Sequence, residues 1–98
     1  MTVELNLVVN DTRIHTDYFV EGLIDQVVSG IIETLEGTDK IKDLELSIDK
    51  SKATINLNGT VVPLNTFASK IIRNTIIGMI STLKEVNEIR KLSIFLHK

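Results

Sequence analysis

The stretch that decides the fold is residues 58–83, NGTVVPLNTFASKIIRNTIIGMISTL. Asn58-Gly59 is a strong short-range hairpin signal, and it predicts a short strand that returns over 60–64. Pro63 has no backbone donor, so this strand is expected to lie at a sheet edge or to end there. Asn65 is a favourable N-cap, and the apolar residues after it recur at helical spacing, which predicts a helix over 66–84.

An earlier stretch repeats this pattern. Residues 10–35 read NDTRIHTDYFVEGLIDQVVSGIIETL and align with 58–83 at a spacing of 48 without a gap. Identical pairs include Asn10 and Asn58, Thr12 and Thr60, Phe19 and Phe67, Gly30 and Gly78, and Thr34 and Thr82. A shared hydrophobic pattern does not demand identity at such residue types. The sequence therefore predicts an internal duplication within a single domain 1–98, with units over about 1–49 and 50–98 fused as a pseudo-dimer around one core.

Each unit is predicted to be ββαβ. In the first, alternation and helical spacing predict strands over 2–9, 12–15 and 41–48 and a helix over 18–36, capped by Asp17 and ended by Gly37. In the second, strands are predicted over 53–57, 60–64 and 89–96. Together they predict an α+β two-layer sandwich, a mainly antiparallel sheet with two helices on one face. If the short second strands are extended loops, the order becomes βαββαβ, a ferredoxin-like pattern.

Both helices are expected to turn a wide apolar stripe toward the sheet. The stripe of the first helix is Phe19, Val20, Leu23, Ile24, Val27, Val28, Ile31 and Leu35. That of the second is Phe67, Ala68, Ile71, Ile72, Ile76, Met79, Ile80 and Leu83. Val8, Val61 and Phe95 are then expected on the helix-free sheet face, and Ile77 on the polar side of the second helix. Because exposed apolar patches indicate interaction sites, these four residues are the candidate interface.

Two further matched pairs are candidates. Gly30 and Gly78 lie inside the predicted helices, where glycine costs about 1 kcal/mol relative to alanine. Close packing of the two helices is the predicted reason, with a ligand slot as the alternative. Asp25 and Arg73 are equivalent positions of opposite charge, a charge-complementary pair that could steer one molecule, or one helix, onto another. Two solvated faces that diverged after duplication are the other reading.

No residue pattern indicates catalysis. The chain has no cysteine, which excludes disulfides and thiolate metal ligands. His15 and His97 are the only histidines, and they lack a metal-ligand spacing. There is no glycine-rich phosphate loop, nucleophile elbow or paired-carboxylate motif. No catalytic, cofactor or metal residue is therefore assigned, and enzyme activity is not expected.

Charge and hydropathy limit the partners. The formal net charge is −2, with acidic and basic residues read as interspersed, which argues against nucleic acid. Ionisable residues interrupt both helical segments, which argues against a membrane span. The N-terminus lacks a signal-peptide pattern, so a cytoplasmic location is expected. The sequence predicts a small interaction module that forms a homo-oligomer or docks on another protein; the alternative is a regulatory domain that binds a small-molecule ligand.

Overall fold

The described part of the chain forms six antiparallel strands and two helices. The computed structural model describes residues 4–35, 40–49, 52–83, 86 and 88–98. In chain order the elements are β1 (Glu4–Val9), β2 (Thr12–Ile14), α1 (Tyr18–Thr34), β3 (Asp43–Asp49), β4 (Lys52–Leu57), β5 (Thr60–Val62), α2 (Thr66–Ile80) and β6 (Lys91–His97). The strands form one open sheet in the order β2-β1-β6-β3-β4-β5, and every pairing is antiparallel. The predicted α+β class and antiparallel sheet are confirmed.

The core lies between the sheet and the two helices, and it is aliphatic. Alternate residues of the strands point into it, as period-2 alternation requires, for example Leu44, Leu46 and Ile48 of β3. Both helices contribute to the same core. Its helical members are Ile24, Val28 and Ile32 from α1 and Ile72, Ile76 and Ile80 from α2. No polar side chain among the described residues is buried.

The β1–β2 and β4–β5 hairpin turns use left-handed backbone. Asn58 and Gly59 have φ angles of 51° and 86°, and the earlier turn places Asn10 and Asp11 at 50° and 69°. Positive φ at both central residues suits the two-residue turn that matches strand twist. β5 is an edge strand and ends at Val62, immediately before Pro63. The expectation for the proline-containing strand is therefore confirmed.

Both helices begin where the capping signals indicate. The Asp17 carboxylate accepts a hydrogen bond from the Val20 amide at 2.8 Å, and the Asn65 side chain accepts one from the Ala68 amide at 2.7 Å. α2 ends at Ile80 rather than at residue 84, because the amides of Thr82 and Leu83 bond to carbonyls three residues back; the Ser81 and Thr82 hydroxyls also donate to carbonyls of the last turn. The predicted stop at Gly37 lies outside the described residues. Neither α1 nor α2, the helices of the described residues, combines the length and apolarity needed to cross a membrane.

β3 starts two residues later than the alternation predicts, because an asparagine side chain binds the backbone before it. The Asn58 Oδ1 atom accepts hydrogen bonds from the amides of Lys42 and Asp43 at 2.8 and 2.9 Å. Its Nδ2 atom donates to the Lys40 carbonyl at 2.8 Å. We call this three-bond arrangement an asparagine clamp. It takes up backbone groups that a longer strand would pair in the sheet.

A second asparagine clamp precedes β6. The Asn10 Oδ1 atom accepts from the amides of Arg90 and Lys91 at 2.8 and 3.0 Å, and its Nδ2 atom donates to the Glu88 carbonyl. Glu88, Arg90 and Lys91 stand 48 positions after their counterparts in the first clamp, and Asn10 stands 48 positions before Asn58. Each clamp thus joins a hairpin turn from one half of the chain to a strand from the other half.

Candidate interaction surface

Most of each apolar helical stripe packs against the core, but one edge of each stripe does not. Ile24, Val28 and Ile32 form the buried line of α1. Val28 follows Phe19 by nine residues, which is about 2.5 turns at 3.6 residues per turn and places the two side chains on opposite sides of the helix. Phe19 is accordingly 72% exposed, and Leu23, one turn later, is also exposed. The expectation that both residues pack on the sheet is wrong.

The second helix repeats this arrangement. Its buried line is Ile72, Ile76 and Ile80, and Phe67 and Ile71 lie on the opposite side, 71% and 48% exposed. Their predicted inward orientation is wrong for the same reason: a stripe of eight apolar residues is wider than the surface that the sheet covers. All four aromatic residues of the chain are exposed, namely Tyr18, Phe19, Phe67 and Phe95. This is unusual, because phenylalanine is among the residues most often buried.

The two helix-interior glycines lie on the outward side. Gly30 follows Phe19 by eleven residues, about three turns, so both lie on the same side of α1, and Gly78 has the same relation to Phe67. Among the described residues, a Cβ built on either glycine meets no atom of another element within 4 Å. Close packing between the two helices therefore does not explain these glycines.

These outward residues form a surface that we call the outer helix face. It consists of Phe19, Leu23, Gln26 and Gly30 of α1 and Phe67, Ile71, Asn74 and Gly78 of α2. The two sets correspond position by position at the spacing of 48. Each set has two large apolar side chains, one amide and one glycine along a single side of its helix. The surface is apolar near the N-terminus of each helix and recessed near the C-terminus.

The helix-free sheet face carries the apolar residues that the sequence singled out, but apart from one another. Val61 is 61% exposed, Phe95 is 40% exposed and Val8 is half-buried. The strand register places Asn56 and Glu45 between Val61 and Phe95. Ile77 does not join this face or point away from the protein, since it is half-buried against the core from α2.

One end of the sheet face is a shallow acidic depression of about 270 Å³. Glu4, Asp43 and Glu45 line it together with Phe95 and His97. The His97 Nδ1 atom contacts the Asp43 carboxylate, and this hydrogen bond and charge raise the pKa of His97 above its usual 6.5. Among the described residues no group of three acidic or histidine side chains is placed to hold a metal ion.

Asp25 and Arg73, the matched pair of opposite charge, contact different groups. Lys98 Nζ lies 3.1 Å from the Asp25 carboxylate and donates to Ser29 Oγ at 3.0 Å. The Ser29 hydroxyl in turn donates to Asp25, so this cluster ties α1 to the end of β6. Arg73 donates to the Asn74 side chain at 3.0 Å, within the outer part of α2. Asp25 thus serves a contact inside the chain, and its pairing with Arg73 of another molecule stays a prediction.

The largest electrostatic feature is the unequal charge of the two sequence halves, which the net charge of the whole chain does not reveal. Residues 1–49 hold three basic and eleven acidic residues, a net charge of −8, whereas residues 50–98 hold eight basic and two acidic residues, a net charge of +6. The charges are therefore divided between the halves and not interspersed. Counting by predicted unit, instead of over the whole chain, would have shown the division. α1 belongs to the acidic half and α2 to the basic half.

No family model matches the chain, and neither the curated proteins nor the solved structures give a significant match.

Proposed function

We propose that this chain is a protein-interaction module and that the outer helix face is its docking surface. The observation that carries the proposal is the exposure of Phe19, Leu23, Phe67 and Ile71 at matched positions of the two helices. Fully burying one such side chain is worth about 1.5–3 kcal/mol. Aromatic side chains that a fold does not bury are also the residues that dominate the energetics of protein interfaces.

The outer helix face supports docking better than the helix-free sheet face does. On the helices the apolar side chains are adjacent: Leu23 follows Phe19 by one turn, and Ile71 follows Phe67 by one turn. On the sheet, Glu45 and Asn56 separate Val61 from Phe95, which leaves single apolar residues among polar ones. Scattered apolar residues are normal on a protein surface, whereas adjacent ones call for a partner.

We also infer that the chain is a duplicated ββαβ unit, fused as a pseudo-dimer. The strand registers support this inference. β1 pairs with β6 as Leu7 with Ile94, and β4 pairs with β3 as Ile55 with Leu46. The second pairing is the first with each residue replaced by its counterpart in the other half, 48 positions away. The two asparagine clamps and the two N-caps obey the same spacing. β2 and β5 are paired strands and not loops, which favours this reading over the ferredoxin-like one.

Site-specific cross-linking tests the docking surface. A photoreactive side chain at Leu23 of the full chain should cross-link to protein, either a second copy in the pure sample or another chain in the cells that make it. The matched control is the same side chain at Thr54, which is exposed on the sheet face. Equal cross-linking at the two positions, or none at Leu23, would overturn the proposal.

A solution-mass measurement completes the test. Phe19→Gln and Phe67→Gln together should abolish any complex that forms, while Phe95→Gln on the sheet face should leave it intact. All three residues are exposed, so the circular dichroism spectrum should stay that of the folded chain. Loss of the complex in the Phe95 variant alone would instead move the interface to the sheet.

A small anionic ligand is the second candidate, favoured by one depression. Lys52, Asn65, Ser69 and Lys70 are among its lining residues, beside the N-terminus of α2, and its volume is about 470 Å³. Inorganic phosphate is the first probe: at a hundred times its dissociation constant it would add about 2.7 kcal/mol of stability. A thermal melting temperature unchanged by phosphate and by small organic phosphates would remove this candidate.

A further inference from the structure

We propose that the partner of the outer helix face is a second copy of this chain, bound face to face about a two-fold axis, with α1 of each copy lying on α2 of the other. The inference rests on the proposed function, because it uses the same surface and names its occupant. The internal geometry of the chain, the division of charge, the two glycines and the size of the face each support it.

The internal geometry sets how the helices are directed. β3 and β6 pair antiparallel, and the central pair of their register is Leu46 with Ile94, two positions that are 48 apart. An operation that exchanges the two halves is therefore a two-fold rotation about an axis through the middle of the sheet. Because α1 and α2 pack on the same side of the sheet, this rotation makes them run in opposite directions.

Two face-to-face dimers are then possible, and charge selects between them. In one, α1 lies antiparallel on the α1 of the second copy, so the exposed Glu33 faces a helix that has no basic residue. In the other, α1 lies antiparallel on α2, which brings Glu33 toward the exposed Lys70. Opposite charges favour the second arrangement, because it places α1, from the acidic half of the sequence, on α2, from the basic half.

The same arrangement accounts for both glycines. With antiparallel helices, the C-terminal part of α1, where Gly30 lies, faces the N-terminal part of α2, where Phe67 lies. Gly78 and Phe19 face each other in the same way. The space that each glycine leaves open within its own chain can thus receive a phenylalanine ring of the second copy.

The face is large enough for a stable dimer. The molecule measures 36 × 34 × 19 Å, so the outline of its broad side is about 1,200 Å² and has room for the roughly 800 Å² per partner of a standard interface. A contact through a narrow side, 36 × 19 Å or less, would fall below that size. The broad face carrying the helices is also the one with adjacent apolar side chains.

Reciprocal charge reversal at Glu33 and Lys70 tests this dimer. The wild-type mass should rise with concentration from 11.0 kDa toward twice that value and stop there. Lys70→Glu places acidic residues at both ends of the contact, and Glu33→Lys places basic residues at both ends, so each variant alone should dimerise at least roughly tenfold more weakly. An equimolar mixture restores both opposite-charge contacts and should recover the wild-type dimer. Both residues are exposed, and denaturation midpoints should confirm that the variants fold.

The outcomes separate this inference from the proposed function. A mass that stays at 11.0 kDa, single variants that dimerise like wild type, or a mixture that does not recover would each overturn the face-to-face dimer. If cross-linking from Leu23 still reaches another protein in those cases, the docking surface stands and only its occupant is wrong. Assembly that continues beyond the dimer would also contradict the proposal, since a two-fold interface is closed.

Discussion

Removal of an asparagine clamp should lower the free energy of unfolding more than most substitutions at a turn do. Asn58→Ala deletes three hydrogen bonds, two accepted from the amides of Lys42 and Asp43 and one donated to the Lys40 carbonyl. It also places a Cβ-bearing residue without a local polar partner at φ 51°. Both effects act where the chain begins β3, a central strand of the sheet.

The free-energy costs of the lost hydrogen bonds and of the left-handed backbone can be estimated separately. A net intramolecular hydrogen bond contributes about 0.5–1.5 kcal/mol, and the freed groups are exposed and can bind water, so the low end applies to each of the three. Alanine in left-handed backbone adds about 1 kcal/mol. We therefore expect Asn58→Ala to lower the free energy of unfolding by about 2–3 kcal/mol, which corresponds to a fall of roughly 10 °C or more in Tm for a domain of this size.

Urea denaturation followed by circular dichroism measures this loss of stability. Two further variants separate the hydrogen-bond contribution from the backbone contribution. Asn58→Gly keeps the left-handed backbone without strain and should lose only the hydrogen-bond share. Asn10→Ala, in the other clamp, should lose about as much as Asn58→Ala, because its bonds are the same in kind and number. A loss below about 0.5 kcal/mol in both alanine variants would refute the view that side-chain clamps determine where the strands begin.

Three further results are expected. Gly30→Ala and Gly78→Ala should each stabilise the folded chain by about 0.5–1 kcal/mol, since an added methyl group meets open space, yet should weaken the dimer; destabilisation in urea would contradict this. The raised pKa of His97 means that its contact with Asp43 stabilises the fold below pH 6.5 and that this contribution fades as pH rises through the folded-state pKa; a titration by NMR should show the raised pKa in wild type and its loss in Asp43→Asn. Leu46→Ala, at a fully buried site in the middle of the sheet, should cost about 2–5 kcal/mol, and a stability within 1 kcal/mol of wild type would mean that the core repacks.

Local signals allowed most of the fold to be predicted. The asparagine turns, the helix caps and the strand alternation each depend on residues a few positions apart, and each lies where the sequence indicated. The beginnings of β3 and β6 could not be predicted in this way. They depend on Asn58 and Asn10, and Asn10 is 80 positions from Arg90, so no local window contains both partners.

The outer helix face was missed for a different reason. Helical spacing shows which residues share a side, but it does not show how wide a stripe the sheet can cover. Phe19 and Phe67 were placed inward because they are apolar, although they lie half a turn away from Val28 and Ile76 at the centre of the buried lines. The isoleucine and valine lines and their half-buried neighbours, such as Val27 and Met79, take up the surface that the sheet offers.

The division of charge and the sharing of strands have one physical consequence in common. β6, from the basic half, lies between β1 and β3 of the acidic half, so neither half contains a continuous sheet of its own strands. A chain segment with a net charge of −8 repels itself, and one of +6 does likewise, but intercalation of their strands brings opposite charges close together. Attraction between the halves therefore favours the mixed strand order within one molecule. The helices lie outside that exchange. Glu33 of α1 and Lys70 of α2 are exposed, so the same attraction can act on them between two copies.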